Sequence, residues 1–291
     1  MKQERGAMIY FGCAVWAYKG WVGDFYPARA QASELLARYV ERLTAVEGNT
    51  TFYAIPDDET VRRWAEQMPP AFRFCPKLPQ SISHHGAIAP HIEAAASFLR
   101  LLEPLGERLG PVMLQLPPDY GPGYLDDLER FITAIAPLCP ARLAVEVRHD
   151  GWWHEHPAAR LAALLDAHGV ARVLLDTRAI YDGPDDSDAV AQERRKPRVP
   201  VVPTIHHDLT LIRFVGHPEP RRNEAYLDQW AAKVDAWLEQ GATVYFFSHC
   251  PVEEQAPHNA RRFHRLLAAR RPALPDLPWD NLPPAPQLSL F

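Results

Sequence analysis

At 291 residues and 47% hydrophobic content, the chain carries enough apolar material for one large domain or two ordinary ones, which sets it apart from disordered sequences. A net charge of −5 excludes a generic nucleic-acid coat, which needs a basic surface, and leaves room only for a local basic groove. No apolar run reaches membrane-span length, the opening MKQERGAMIYFG lacks a signal-peptide core, and four widely spaced cysteines read as reduced thiols; a cytoplasmic protein is expected.

Taken in chain order, eight short β-rich runs recur: IYFGCAV from Ile9, AVEGNTTF from Ala45, RFCPKL from Arg73 and VMLQLP from Val112. LAVEVR from Leu143, RVLLDT from Arg172, TLIRFVG from Thr210 and TVYFFSH from Thr243 complete the set. Their starts are separated by roughly the length of a βα unit. Between most of them lie amphipathic helical faces, such as Leu36/Tyr39/Val40/Leu43, Leu125/Leu128/Ile132/Ile135 and Leu227/Trp230/Val234/Trp237. Asp57, Asp58 and Glu59 place negative charge where a helix N-terminus favours it. Near-continuous apolar strands alternating with helices predict an α/β fold, a TIM-like (β/α)8 parallel barrel forming a single domain over residues 1–271. A doubly wound open sheet is the rival, without a Gly-x-Gly-x-x-Gly or Walker motif to favour it.

Two stretches break the beat. Residues 178–208 hold no clear helix, and a loop of that length is either a functional lid or disordered. From Pro272 the composition turns proline-rich, so residues 272–291 read as a stiff linker carrying a terminal peptide.

A polar residue interrupts each apolar strand near its C-terminal end, where barrel enzymes place their chemistry. These are Glu47 and Asn49, Lys77, Gln115, Glu146 and Arg148, Asp176, Arg213, then Ser248 or His249. Ionised groups inside a barrel must be paired, so one reading is a salt-bridge plug and the other a site for a polar or anionic ligand. In the second, Glu146, Glu47 and Asp176 are catalytic, with Glu146 the general acid or base. Lys77, Arg148, Arg213, Gln115 and Asn49 then bind a phosphate- or sugar-containing ligand. Trp16, Tyr53 and Trp152 lie just past strand ends and could stack on a ring, or serve as loop anchors. A divalent metal is conceivable at His249 with Glu146 and Asp176. The pairs His84-His85 and His206-His207 lack the helical spacing of a zinc motif.

The motifs GCAVWAYKGWVGDFYP, VEGNTTFYAIP, FRFCPKLP, LGPVMLQLPPDY and LAVEVRHDGWW together resemble the YecE-like family, also called domain of unknown function 72, over about Ile9 to Leu267. The resemblance implies a TIM-like barrel and marks Glu47, Thr51, Phe52, Tyr53, Lys77, Gln115, Pro117, Pro118, Glu146, Arg148, Asp176, Arg213 and Asn259 as pattern positions. It supplies no reaction. RFVGHP and FFSHCP depart from the pattern at Gly216, Ser248 and His249.

The final QLSLF resembles the peptide by which bacterial replication and repair proteins dock on the DNA polymerase sliding clamp. Leu288, Leu290 and Phe291 would be apolar anchors and Gln287 a polar key at the groove entrance. Recruitment of this kind would let an acidic protein work on DNA, meeting nucleic acid only indirectly or by a local groove. The rival is a tail strapped under the barrel by Trp279 and Leu282. Three functions stay open: a clamp-recruited enzyme of DNA metabolism, an enzyme on a small carbohydrate or metabolite, and a non-catalytic clamp-associated adaptor.

Overall fold

The computed structural model describes residues 7–182, 190–191, 194 and 196–283. All eight apolar runs contain strands: β1 Met8–Cys13, β2 Ala45–Gly48, β3 Arg73–Pro76, β4 Val112–Gln115, β5 Leu143–Glu146, β6 Ala171–Asp176, β7 Leu209–Val215 and β8 Thr243–His249. They pair in parallel as a six-stranded sheet, in the order β1-β8-β7-β6-β5-β4, and a two-stranded one, β2-β3. The two sheets meet at both edges. Thr44 N donates to Phe11 O (3.0 Å) between β1 and β2. Gly110 N to Phe74 O (2.8 Å) and Leu78 N to Met113 O (2.9 Å) tie β3 to β4. A Cβ on Gly12 would collide with the Ala45 carbonyl, so the β1–β2 approach requires glycine there.

Side chains alternate along each strand, and the two faces have different partners. One face joins all eight strands in a single apolar cluster that includes Tyr10, Ala45, Cys75, Met113, Ala144, Val173, Leu211, Tyr245 and Phe247. The other packs on helices: α1 Leu35–Val40, α3 Asp58–Gln67, α4 Gln80–Ser83, α5 Ile92–Leu101, α6 Leu125–Ile135, α7 Glu155–Ala167, α8 Arg178–Tyr181, α9 Glu224–Glu239 and α10 Gln255–Arg270, while the short α2 Thr50–Tyr53 follows the end of β2. The expected apolar stripes are what they bury, for instance Leu125, Leu128, Phe131, Ile132 and Ile135 on α6. Each such side chain contributes roughly 1.5–3 kcal/mol of transfer free energy. Helix α3 starts as its acids predict, with Asp57 accepting from Thr60 N (2.8 Å) as N-cap.

The proline-rich stretch is not a free linker from Pro272 onward. Leu277 is buried, and a 3-10 turn at Pro278–Asn281 carries Trp279 onto the body. There its ring meets Phe25 edge-on (4.9 Å between centroids) beneath the Arg261 guanidinium (4.6 Å), and its backbone N–H donates to Arg42 O (3.2 Å). A large aromatic among prolines gains more by covering apolar surface than by staying in water, so Trp279 anchors the segment. Gln287, Leu288, Leu290 and Phe291 lie outside the described residues.

Candidate functional site

The apolar face ends in charge. One alternation beyond the apolar layer, Glu47, Lys77, Gln115, Glu146, Arg213 and His249 project from β2, β3, β4, β5, β7 and β8 on the same face, all of them buried. Arg213 is the hub. Its Nε and Nη2 engage Glu47 as a two-pronged pair (2.7 and 2.8 Å), and its Nη1 donates to Glu146 Oε2 (2.6 Å). Lys77 Nζ lies 2.9 Å from both Glu47 Oε1 and Gln115 Oε1. Arg148 Nε donates to Glu146 Oε1 (2.6 Å). His249 Nε2 stands 3.0 Å from Glu47 Oε2.

Burial by itself would raise both carboxyls, but the cations overcome it. Arg148, then Arg213 and Lys77, hold Glu146 down at about 2, and Arg213 and Lys77, with the hydrogen bond to His249, hold Glu47 well below the carboxylate range. Burial pushes His249 down to about 4 against the pull of Glu47, so at neutral pH the ring is uncharged and its Nε2–H donates to that carboxylate. Burial and repulsion from Arg213 bring Lys77 down to about 8, against the attraction of Glu47 and Glu146. Three full cations (Lys77, Arg148, Arg213) thus face two carboxylates, an excess of one positive charge. Arg148 is the cation nearest solvent, its side chain 15% exposed, and among the described residues its two Nη atoms have no hydrogen-bond partner.

Several expected members are elsewhere. Asp176 is fully buried on the opposite face of β6, where Trp230 Nε1 donates to it (2.7 Å) and Arg178 holds it through Nε and Nη2 (2.9 and 2.8 Å). The reason is parity: Val173 faces the inner cluster, so Asp176, three residues on, faces the helices. Trp16 packs edge-on against Trp64 and Phe74, and Trp152 is fully buried with Nε1 donating to Tyr120 O (2.8 Å); both are core anchors. Asn49 Nδ2 donates to Ala14 O (2.8 Å), a brace between loops. Asn259 lies on α10 beside Asn223, behind the strands. His206 and His207 precede β7, at the opposite end from the cluster, with His206 on Asp166 (3.1 Å). Among the described residues no three His, Cys, Asp or Glu side chains come together as a metal group.

Tyr53 stays at the mouth, 72% exposed, on the rim of a cavity of about 430 Å³ formed by the loops after β2 and β3. His84 lines the same cavity and was missed as a member of this site. It caps α4, its Nδ1 lies 2.8 Å from Ser83 Oγ, and its ring meets Phe52 edge-on (4.9 Å). Burial and the Arg148 charge lower its pKa, which leaves a neutral ring beside the cations. The available signal was its distance of seven residues from Lys77 across one short helical turn, which returns the chain to the strand end.

The family model described as "Protein of unknown function DUF72" matches residues 10–285. The chain is 35% identical to the UPF0759 protein YecE of Escherichia coli (strain K12) over 286 residues, 97% of this chain and 99% of that one. Among solved structures, a DUF72 family protein from Thermotoga maritima MSB8 superposes with a TM-score of 0.66 at 25% identity, covering 89% of this chain and 99% of the other. One from Enterococcus faecalis V583 gives 0.65 at 20% identity, covering 90% and 98%.

Proposed function

The chain belongs to the DUF72 family of proteins of unknown function, and from that premise, which names no reaction, we propose that its strand ends bind the phosphate of a small ligand. The protein is, in this reading, an enzyme of DNA metabolism brought to its substrate by the bacterial sliding clamp. The reading takes the eight strands as a closed (β/α)8 barrel, for which the hydrogen bonds at both sheet edges are the support. One observation carries the ligand: beyond a buried network of two cations and two carboxylates, Arg148 adds a further positive charge at the edge that opens toward solvent. A self-contained plug is already complete with the two buried cations, and has no need of a third whose Nη atoms face the mouth. An incoming anion pairs with it.

The roles shift accordingly. Glu146, ionised down to about pH 2 and gripped by two guanidinium groups, is a poor proton carrier near neutrality; it orients Arg148 and Arg213. Lys77 is the group whose proton comes off nearest to neutral pH, so it takes the acid/base role, with Glu47 and Gln115 fixing its Nζ. Arg148 meets the phosphate.

The test is stabilisation by ligand. Inorganic phosphate at about a hundred times its Kd should add about 2.7 kcal/mol to wild type, and Arg148→Gln should lose that response while folding normally. No response in wild type would return the cluster to the role of a plug. For recruitment, the full chain should bind the clamp and the double variant Leu288→Ala, Phe291→Ala should not, with an unchanged melting temperature. The support here is the sequence QLSLF. Equal binding by the double variant removes the clamp from the proposal. A cavity of small-molecule size favours a second reading, a metabolite enzyme unconnected with DNA; wild-type phosphate binding without clamp binding would select it.

A further inference from the structure

The phosphate site adjoins a cavity whose walls have a different chemistry. Phe52, Tyr53, Ile55, Ser81, His84 and His85 contribute to a space of about 430 Å³, within the range of roughly 300–1,000 Å³ typical of small-molecule sites. Two of these residues connect it to the charged cluster. Phe52 lies with its ring centroid 6.0 Å from Lys77 Nζ, and His84 packs on Phe52 under the field of Arg148 and Lys77.

Two features of the lining define what it takes. Among the described residues no carboxylate lines it, so a polyhydroxylated sugar would find few acceptors, whereas an anion would meet a field in which Arg148 outweighs Asp119 at His84. Its rim exposes Tyr53 (72%) and Ile55 (57%), two large apolar side chains of the same lining. A flat aromatic ring covers such surfaces and tolerates the polar edges that Ser81 and the imidazoles offer. We propose that the cavity is a base-binding subsite: the ligand is a nucleoside monophosphate, its base against Tyr53 and Ile55 and its phosphate on Arg148. This rests on the phosphate site proposed above and adds the class of group attached to that phosphate.

Calorimetric titration of the full chain decides it, with inorganic phosphate, ribose 5-phosphate, adenosine, AMP and dTMP as probes. The nucleoside monophosphates should bind at least tenfold more tightly than ribose 5-phosphate, and adenosine more weakly than AMP. Tyr53→Ala should erase the tenfold margin while leaving the affinity for inorganic phosphate unchanged, and Tyr53→Phe should keep it. The exposed position lets the fold tolerate both variants, with melting temperature as the control. AMP and ribose 5-phosphate binding equally, or Tyr53→Ala without effect on AMP, overturns the base subsite and leaves the phosphate site standing. Adenosine binding as tightly as AMP overturns the coupling between the two. Absence of binding by every probe, phosphate included, ends both proposals together.

Discussion

On a single face of the same strands, two residues separate an apolar interior from a charged one. The step runs from Ala45 to Glu47, Cys75 to Lys77, Met113 to Gln115, Ala144 to Glu146, Leu211 to Arg213 and Phe247 to His249. Both layers are equally dry, yet they are held by different physics. The lower layer gains from dispersion and transfer, which are additive and forgiving of shape-conserving change. The upper layer is held by charge-assisted hydrogen bonds that stabilise only as a complete set. The lesson is that depth of burial does not separate core from candidate site here; charge does. The lower layer has none, and the upper layer sets two cations against two carboxylates, with Arg148 adding one more positive charge at its solvent-facing edge.

The hub gives the hardest test of that contrast. Arg213→Met strands two buried carboxylates and should cost about 5 kcal/mol, with the phosphate response lost as well, measured by urea denaturation with and without phosphate. Its apolar counterpart two residues earlier, Leu211→Ala, should cost about 3 kcal/mol through an unfilled cavity while the phosphate response persists. If both variants lose the response, the layers are not separable and the contrast fails.

Glu146→Gln comes next. A solvated cluster would tolerate it freely, but Glu146 is fully buried and accepts from both Arg148 and Arg213. The amide keeps part of the hydrogen bonding and loses the charge, so a cost of about 2 kcal/mol is expected by thermal melting. A near-wild-type melting curve would mean that the upper layer is wetter than its geometry implies.

Protonation probes the same layer without mutation. His249 is depressed from 6.5 to about 4, so the unfolded chain takes up its proton first; the stability this contributes is present above pH 6.5 and lost as pH falls to about 4. Glu146, depressed from 4.5 to about 2, adds a second loss below pH 4.5. Melting temperature should therefore decline in two stages on acidification, and His249→Gln should flatten the first. A single stage would show that the imidazole is not neutral in the fold. The smallest effect belongs to the rim: Tyr53→Ala should stay within about 0.5 kcal/mol of wild type, because an exposed ring gives up little packing.

Strand positions were legible because apolar runs of four to seven residues between helical stripes have few other uses. Four of the groups at the strand ends, Glu47, Gln115, Glu146 and Arg213, were legible for the same reason: each is the first polar residue of its run on the inward parity, and Lys77 is the second, after Arg73 at the start of its run. Asp176 misled because Ala171, Val173 and Leu175 leave the inward parity of β6 without a polar residue, so "the polar residue at the end" falls on the other face, with Arg172. Trp16 and Trp152 misled because an aromatic after a strand looks the same whether it turns outward to a ligand or inward to the core. His84 was obscured by its neighbour, since a His-His pair invites a metal reading, whereas the fold uses one ring to pack on Phe52. Trp279 was foreseen only as an alternative, because a composition rich in proline says nothing about which apolar residue finds a partner.

Lys77 has a consequence outside binding and stability. The chain has five lysines, and in this one the ammonium gives up its proton near pH 8. A free amine at that pH is a nucleophile toward acylating electrophiles at a pH where ordinary surface lysines, titrating near 10.4, are still almost wholly protonated. Its 3% exposure means that a reagent reaches it only through the mouth. Acylation at Lys77, followed by mass spectrometry against the other lysines, is therefore a built-in reporter: a chemical label whose rate tracks whether the mouth is open or covered.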